Sequence, residues 1–116
     1  MMTIIKVIDD IGCPKHLKGY NVAYYMLEAY LKGYKKMDAM YHYTQRFTGF
    51  TQSSSERALR HMIRHMLAKN DITHIKKYFG ASLQIDGHIT NKQFIFTLGD
   101  VIERGEEGVE HANNKG

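Results

Sequence analysis

Residues 53–69 read SSSERALRHMIRHMLAK, and the two sides of that stretch differ in kind. At about 100° per residue, Ala58, Leu59, Met62, Ile63, Met66 and Leu67 fall in one sector of a helix, and Arg57, Arg60, His61, Arg64 and His65 fall in the opposite one. One face is made to pack, and the other is left to meet water or an anion. Ser53 and Glu56 stand in the S-x-x-E spacing of a capping box, in which each side chain satisfies a backbone N–H at the helix start. Together with Ser54 and Ser55, that start presents amides and hydroxyls around the positive end of the helix dipole, an arrangement suited to phosphate. On pattern alone, the charged face fits an ordinary solvated helix equally well, so the surrounding sequence has to decide.

Working outward, Met37 to Phe47 has helical spacing, with Asp38 near its start and Gly49 in the turn that follows. Helix, glycine-containing turn and capped basic helix together form the pattern of a helix-turn-helix. Upstream, Ile4, Ile5, Val7, Ile8 and Ile11 make a short first helix ended by Gly12, with Pro14 as a stop and restart. A second helix runs from Leu17 through Val22, Ala23, Met26, Leu27, Tyr30 and Leu31 to Gly33. The tyrosines at 20, 24, 25, 30 and 34 read as core and rim rather than as a base-stacking platform. Downstream, Asn70 suits a left-handed cap and Asp71 opens a short helix through Ile75 and Phe79, closed by Gly80. Leu83–Gly87 reads as a loop or brief extended segment. Thr90 caps a last helix with Phe94, Ile95, Leu98, Val101 and Ile102 as its stripe. The expectation is an all-α fold of about six helices in one compact domain, residues 1–104. Residues 105–116 hold too little apolar surface to offset the entropy of ordering and are expected to form a disordered polar tail.

A chain of 116 residues is sized for one core. Its formal charge of +4 understates the body, because Glu106, Glu107 and Glu110 stand against Lys115 alone in the tail, which leaves +6 on residues 1–104. Such a balance favours phosphate-rich partners. The single Cys13 reads as structural, and the absence of a leader pattern or a run of roughly 18 apolar residues points to a soluble, cytoplasmic protein with no membrane partner. His61 and His65, at i and i+4, have the spacing of a zinc pair, but three neighbouring arginines disfavour a dication. His16, His42, His74, His88 and His111 are scattered and read as surface residues. No metal or cofactor is expected. With no carboxylate pair, triad or glycine-rich phosphate loop, enzymatic activity is not expected either.

If Ser53–Lys69 lies in a major groove, the chemistry of its exposed face is suitable. Arginine reaches guanine O6 and N7 bidentately, histidine donates to a base acceptor, and glutamate accepts from cytosine N4. Arg57, Arg60 and His61 are the candidate base readers. Glu56 has three compatible roles, reading a base, orienting an arginine or completing the cap, of which the cap is favoured. Ser53, Ser54, Ser55 and the lysines are placed to hold phosphates. Arg64 lies deeper along the same face, away from the N-terminal turns that usually touch bases.

Several blocks then carry a resemblance: Ile11-Gly12-Cys13-Pro14-Lys15-His16-Leu17-Lys18-Gly19-Tyr20, Glu56-Arg57-Ala58-Leu59-Arg60-His61, Phe79-Gly80, and Thr90-Asn91 followed by Phe94-Ile95. From Ile4 to about Ile102 the chain resembles the C-terminal DNA-binding effector domain of the sporulation initiation response regulator of spore-forming bacteria, whose first block reads I-G-x-P-x-H-[IL]-K-G-Y. The resemblance implies a six-helix fold with a helix-turn-helix, and double-stranded DNA as partner through a TGTCGAA-like element. It also implies a homodimer on adjacent copies of that element and contact with RNA polymerase. It places Glu56, Arg57, Arg60 and His61 at recognition-helix positions. Three departures stand out: Ser54 where the family usually has arginine, Arg64 where it usually has glutamate, and a stretch from Met37 to Thr51 about four residues shorter. The family also carries a receiver domain for which 116 residues leave no space, so a stand-alone relative or an excised domain is expected, with the former favoured. The alternative is a receiver-less interaction module that modulates a full-length regulator or RNA polymerase.

Overall fold

The computed structural model describes residues 3–69, 72–80 and 88–115, so the expected caps at Asn70 and Asp71 and the loop at Leu83–Gly87 lie outside the described residues. Among those described there are six helices and no strand: α1 (Ile4–Asp10), α2 (Lys18–Leu31), α3 (Met37–Thr48), α4 (Gln52–Lys69), α5 (Ile72–Phe79) and α6 (Asn91–Lys115). The fold is all-α, as the sequence implies. None of these helices is long and apolar enough to cross a membrane.

Local chemistry explains the boundaries. Thr3 caps α1, its Oγ1 accepting from the Lys6 N–H at 3.2 Å. Gly12, at φ 91°, turns the chain out of that helix while the Cys13 N–H returns to the Ile8 carbonyl at 3.0 Å, a glycine closure of the Schellman kind. Gly33 closes α2 in the same way, with the Tyr34 N–H on the Ala29 carbonyl at 3.0 Å. At α6, Thr90 Oγ1 accepts from the Gln93 N–H at 3.1 Å and Gln93 Oε1 accepts from the Thr90 N–H at 2.9 Å. That reciprocal pair is a capping box. The α6 backbone then stays helical to Lys115, whereas composition ends the ordered domain at Arg104. No proline interrupts this stretch, and its glutamates, alanine and lysine favour helical backbone while Gly105 and Gly108 oppose it. The last core residue described is Ile102.

Helix α2 is the hub, packed by α1, α3, α4 and α6. Its Val22, Ala23, Met26, Leu27 and Ala29 are fully buried, and the apolar stripe of α4 meets them through Leu59, Met62, Ile63 and Met66. Gly19 fixes how close the two helices come. A Cβ there would lie 2.4 Å from the Ala58 carbonyl oxygen and 2.6 Å from Met62 Cβ, so only a hydrogen fits between α2 and α4. Phe79 of α5 stacks on Phe94 of α6 at 6.1 Å between centroids. The tyrosines divide as expected: Tyr20 and Tyr30 are buried, Tyr24 and Tyr25 partly so, and Tyr34 is exposed. Cys13 is buried, and that burial pushes its thiol up to about 12, so it stays protonated and packs as an apolar group.

Candidate nucleic-acid interface

Three residues, Gly49, Phe50 and Thr51, separate α3 from α4. Gly49 takes the left-handed conformation at φ 76°, and its N–H bonds the Gln45 carbonyl at 2.8 Å. The turn delivers Thr51, not Ser53, to the head of α4. Thr51 Oγ1 accepts from the Ser54 N–H at 3.1 Å, and its carbonyl accepts from the Ser55 N–H at 2.9 Å. The capping box expected from Ser53 and Glu56 is therefore not the cap of this helix. Ser53 already sits inside the first turn, where its hydroxyl cannot do what an N-cap does.

Two further assignments differ from the expectation. Ser55, expected among the phosphate-holding serines, is 0 % exposed and continues the inner stripe of Leu59 and Met62. Among the described residues its hydroxyl has no partner, and its N–H is committed to Thr51, so it leaves the binding set. Glu56, released from capping, lies half-buried one turn on, and its carboxylate accepts from Gln52 Nε2 at 3.1 Å. The same amide nitrogen reaches Asp38 Oδ1 of α3 at 3.3 Å.

The remaining residues appear where the periodicity put them. Ser53, Arg57, Arg60, His61 and Arg64 are exposed along one side of α4, with Ser54 half-buried at their head. Among the described residues, none of the three arginines is tied up in an ion pair. Their guanidinium groups are available to an outside anion.

Two grooves flank this ridge. One, of about 620 Å³, lies against the α1–α2 connection and brings His16 and Lys18 beside Arg57, His61 and Arg64. The other, of about 400 Å³, runs between the starts of α3 and α6, where Asp38, Glu56, Arg60, Asn91 and Lys92 meet. From sequence, His16 reads only as a scattered surface histidine, Lys18 and Lys92 only as lysines among the others, and Gln52 carries no signal, since they are distant along the chain or ordinary in type. Only Gly19, an unexplained glycine inside an otherwise apolar helical pattern, hints that Lys18 and its neighbours press against another helix.

Asn91 locks the second groove. Its Nδ2 donates to the Glu56 carbonyl at 3.0 Å and to the Tyr41 hydroxyl at 3.3 Å, joining α6, α4 and α3 at one nitrogen. Burial raises the Tyr41 phenol while the Asn91 hydrogen bond pulls against it, so it serves as a neutral acceptor. Next to the first groove's His16 and His61, the His65 ring lies 6.3 Å from each. Partial desolvation, then the charge of Lys69, then those two imidazoles hold His65 below its ordinary value. Among the described residues, no three histidine, cysteine or carboxylate side chains are grouped to hold a metal ion.

A short glycine turn between two helices, the second presenting unpaired arginines on its outer face, defines a helix-turn-helix domain. Comparison with protein families gives its particular kind: the model described as sporulation initiation factor Spo0A C terminal matches residues 4–102, and the chain belongs to that family. It is a family of DNA-binding regulatory effector domains, not of enzymes.

Proposed function

We propose that this domain binds double-stranded DNA sequence-specifically and regulates transcription in the cytoplasm, with α4 seated in the major groove. The observation that carries this reading is the exposed row of Arg57, Arg60, His61 and Arg64, whose arginines make no ion pair among the described residues, on a helix packed closely against α2 at Gly19. Arg57, Arg60 and His61 read base edges, an arginine guanidinium having the two parallel N–H donors that guanine O6 and N7 accept. Ser53 and Ser54, with Lys18 and Lys92 at the rims of the two grooves, hold phosphates and set register. Arg64 borders both grooves and extends the contact beyond the N-terminal turns.

Selection from randomised duplexes tests this directly. An enriched motif is expected, and Arg60→Ala lowers affinity for it by about 1–3 kcal/mol while leaving the melting temperature unchanged. Affinity also falls steeply with salt, because bound phosphates release counterions. A folded protein that enriches no motif refutes the proposal. Spacing between repeats in the motif reports whether two copies bind side by side as a homodimer, and transcription from such a template reports contact with RNA polymerase.

A second reading, an interaction module for a full-length regulator or for RNA polymerase, draws on another surface. Phe47 and Tyr34 are 53 % and 43 % exposed, and Phe47 stacks on Tyr25 at 4.7 Å between centroids. Arg46 lies over the adjoining Tyr43 ring at 4.9 Å. Exposed aromatic rings beside arginine are typical of protein interfaces. Light scattering with either partner separates the two readings, since a monomer that binds neither and does bind duplex DNA excludes this one.

A further inference from the structure

We infer that Gln52 is a positioning residue for base recognition, holding the Glu56 carboxylate at the place where it accepts a hydrogen bond from a base amine. The inference rests on the DNA-binding reading above and names a component of that site.

The geometry is a bridge across the helix-turn-helix. Gln52 is the first residue of α4 and Glu56 lies one turn on, so the two side chains share a face. The Gln52 amide nitrogen is 3.1 Å from Glu56 Oε1 and 3.3 Å from Asp38 Oδ1, and its two hydrogens supply one donor to each carboxylate. Two acidic groups on different helices are thus brought together by a neutral amide. Without that donor they repel each other, and the longer Glu56 side chain is free to swing toward Arg60, which borders the same groove.

The identity of the donor matters as much as its position. A carboxylate held by arginine would have its charge cancelled and would occupy a base-reading cation. Among the described residues, Glu56 makes no ion pair. One of its oxygens receives the amide, and the carboxylate keeps its remaining acceptor capacity for an incoming ligand. Its backbone is fixed as well, because Asn91 Nδ2 donates to the Glu56 carbonyl at 3.0 Å. A carboxylate anchored at both ends, facing a groove with arginines on its rim, is matched to the one major-groove edge that offers only an amine donor, cytosine N4.

The test is a set of randomised-duplex selections with the full 116-residue chain and its variants Gln52→Ala, Glu56→Ala and the double variant. Wild type is expected to prefer cytosine roughly tenfold at one motif position, and Glu56→Ala to abolish that preference. Gln52→Ala should reduce it by about threefold, the scale of one lost hydrogen bond, with unchanged melting temperature and unchanged preferences elsewhere. In the Glu56→Ala background, Gln52→Ala should change nothing further, which a merely structural role for Gln52 would not produce. If Gln52→Ala leaves the cytosine preference intact, or weakens all positions alike, the role of Gln52 is overturned while DNA reading stands. If Glu56→Ala has no effect on any position, Glu56 is not a reader and the inference falls with it. A wild-type profile without any preference overturns the DNA-binding reading itself.

Discussion

Replacing Gly19 by alanine sets two effects of opposite sign against each other. Gly19 lies in the first turn of α2, and glycine inside a helix is less favourable than alanine by about 0.5–1 kcal/mol, so propensity alone makes Gly19→Ala stabilising. The packing says otherwise. The new Cβ would lie 2.4 Å from the Ala58 carbonyl oxygen and 2.6 Å from Met62 Cβ, where ordinary contact begins at 3.4 Å. Both obstacles belong to the α4 framework rather than to a side-chain tip, so no rotamer change relieves them and α4 has to retreat by about 1 Å. Forcing an extra methyl into a close-packed contact costs about 1–3 kcal/mol, and a backbone obstacle belongs at the upper end. The net expectation is a loss of about 1–2 kcal/mol, which for a domain of this size lowers the melting temperature by about 4–16 °C. Thermal unfolding followed by circular dichroism measures it, and duplex binding below the transition reports the displaced α4 as weaker specific affinity. A melting temperature at or above that of wild type would show that propensity wins and that the two helices are not wedged together at Gly19.

Ser55→Ala removes a buried hydroxyl that has no partner, so stability should rise by about 1 kcal/mol in urea unfolding, and a loss would mean that the hydroxyl is satisfied. Asn91→Ala leaves the Glu56 carbonyl without its side-chain donor and should cost about 1–2 kcal/mol, with Asn91→Asp giving no rescue because a carboxylate cannot donate. For His65, whose folded value is depressed below 6.5, the unfolded chain takes up a proton first as the solution is acidified. Its contribution is therefore intact above pH 6.5 and is lost as pH falls through that value toward the folded one. His65→Gln should flatten stability in that window at low salt, and an unchanged pH profile would refute the assignment.

Most of the architecture was legible because it is written in local chemistry. The i, i+3, i+4 spacing of Leu59, Met62, Ile63 and Met66 gave the buried face of α4, and Gly12, Gly33 and Gly49 gave three chain reversals that positive φ confirms. The head of α4 is ambiguous in the sequence because two capping signals overlap within three residues. Thr51 and Ser53 are both good caps by type, and only the position of the Gly49 turn selects Thr51. Ser55 is a separate matter: four residues before Leu59 and seven before Met62, it shares their buried face whichever residue opens the helix, and grouping it with the two serines before it hides that spacing. The two grooves were illegible for a different reason. They join residues tens of positions apart, such as His16 with His61 and Glu56 with Asn91, and no periodicity within one helix encodes those meetings.

The blocks that carry the family likeness divide by role once they are placed in the fold. Gly19 wedges α2 on α4, Phe79 stacks on Phe94, and Asn91 ties α6 to α4 and α3. These residues build a socket that holds one helix at a fixed height and rotation, and they face inward, toward other parts of the protein. The block Ile11 to Tyr20 also exposes Lys15, His16 and Lys18, and in the block Glu56 to His61 packed and exposed positions alternate: Ala58 and Leu59 pack, while Arg57, Arg60 and His61 are exposed. Family membership therefore transfers the socket and the placement of α4 more firmly than it transfers any base preference. On the proposed reading, the preference particular to this chain resides in what surrounds that block: Gln52 bridging Asp38 to Glu56, Ser54 at the head of the helix, and Arg64 bordering both grooves. A substitution at Gln52, Ser54 or Arg64 should consequently change which operator is bound without unfolding the domain, whereas one at Gly19 or Asn91 should unsettle α4 and weaken every operator together.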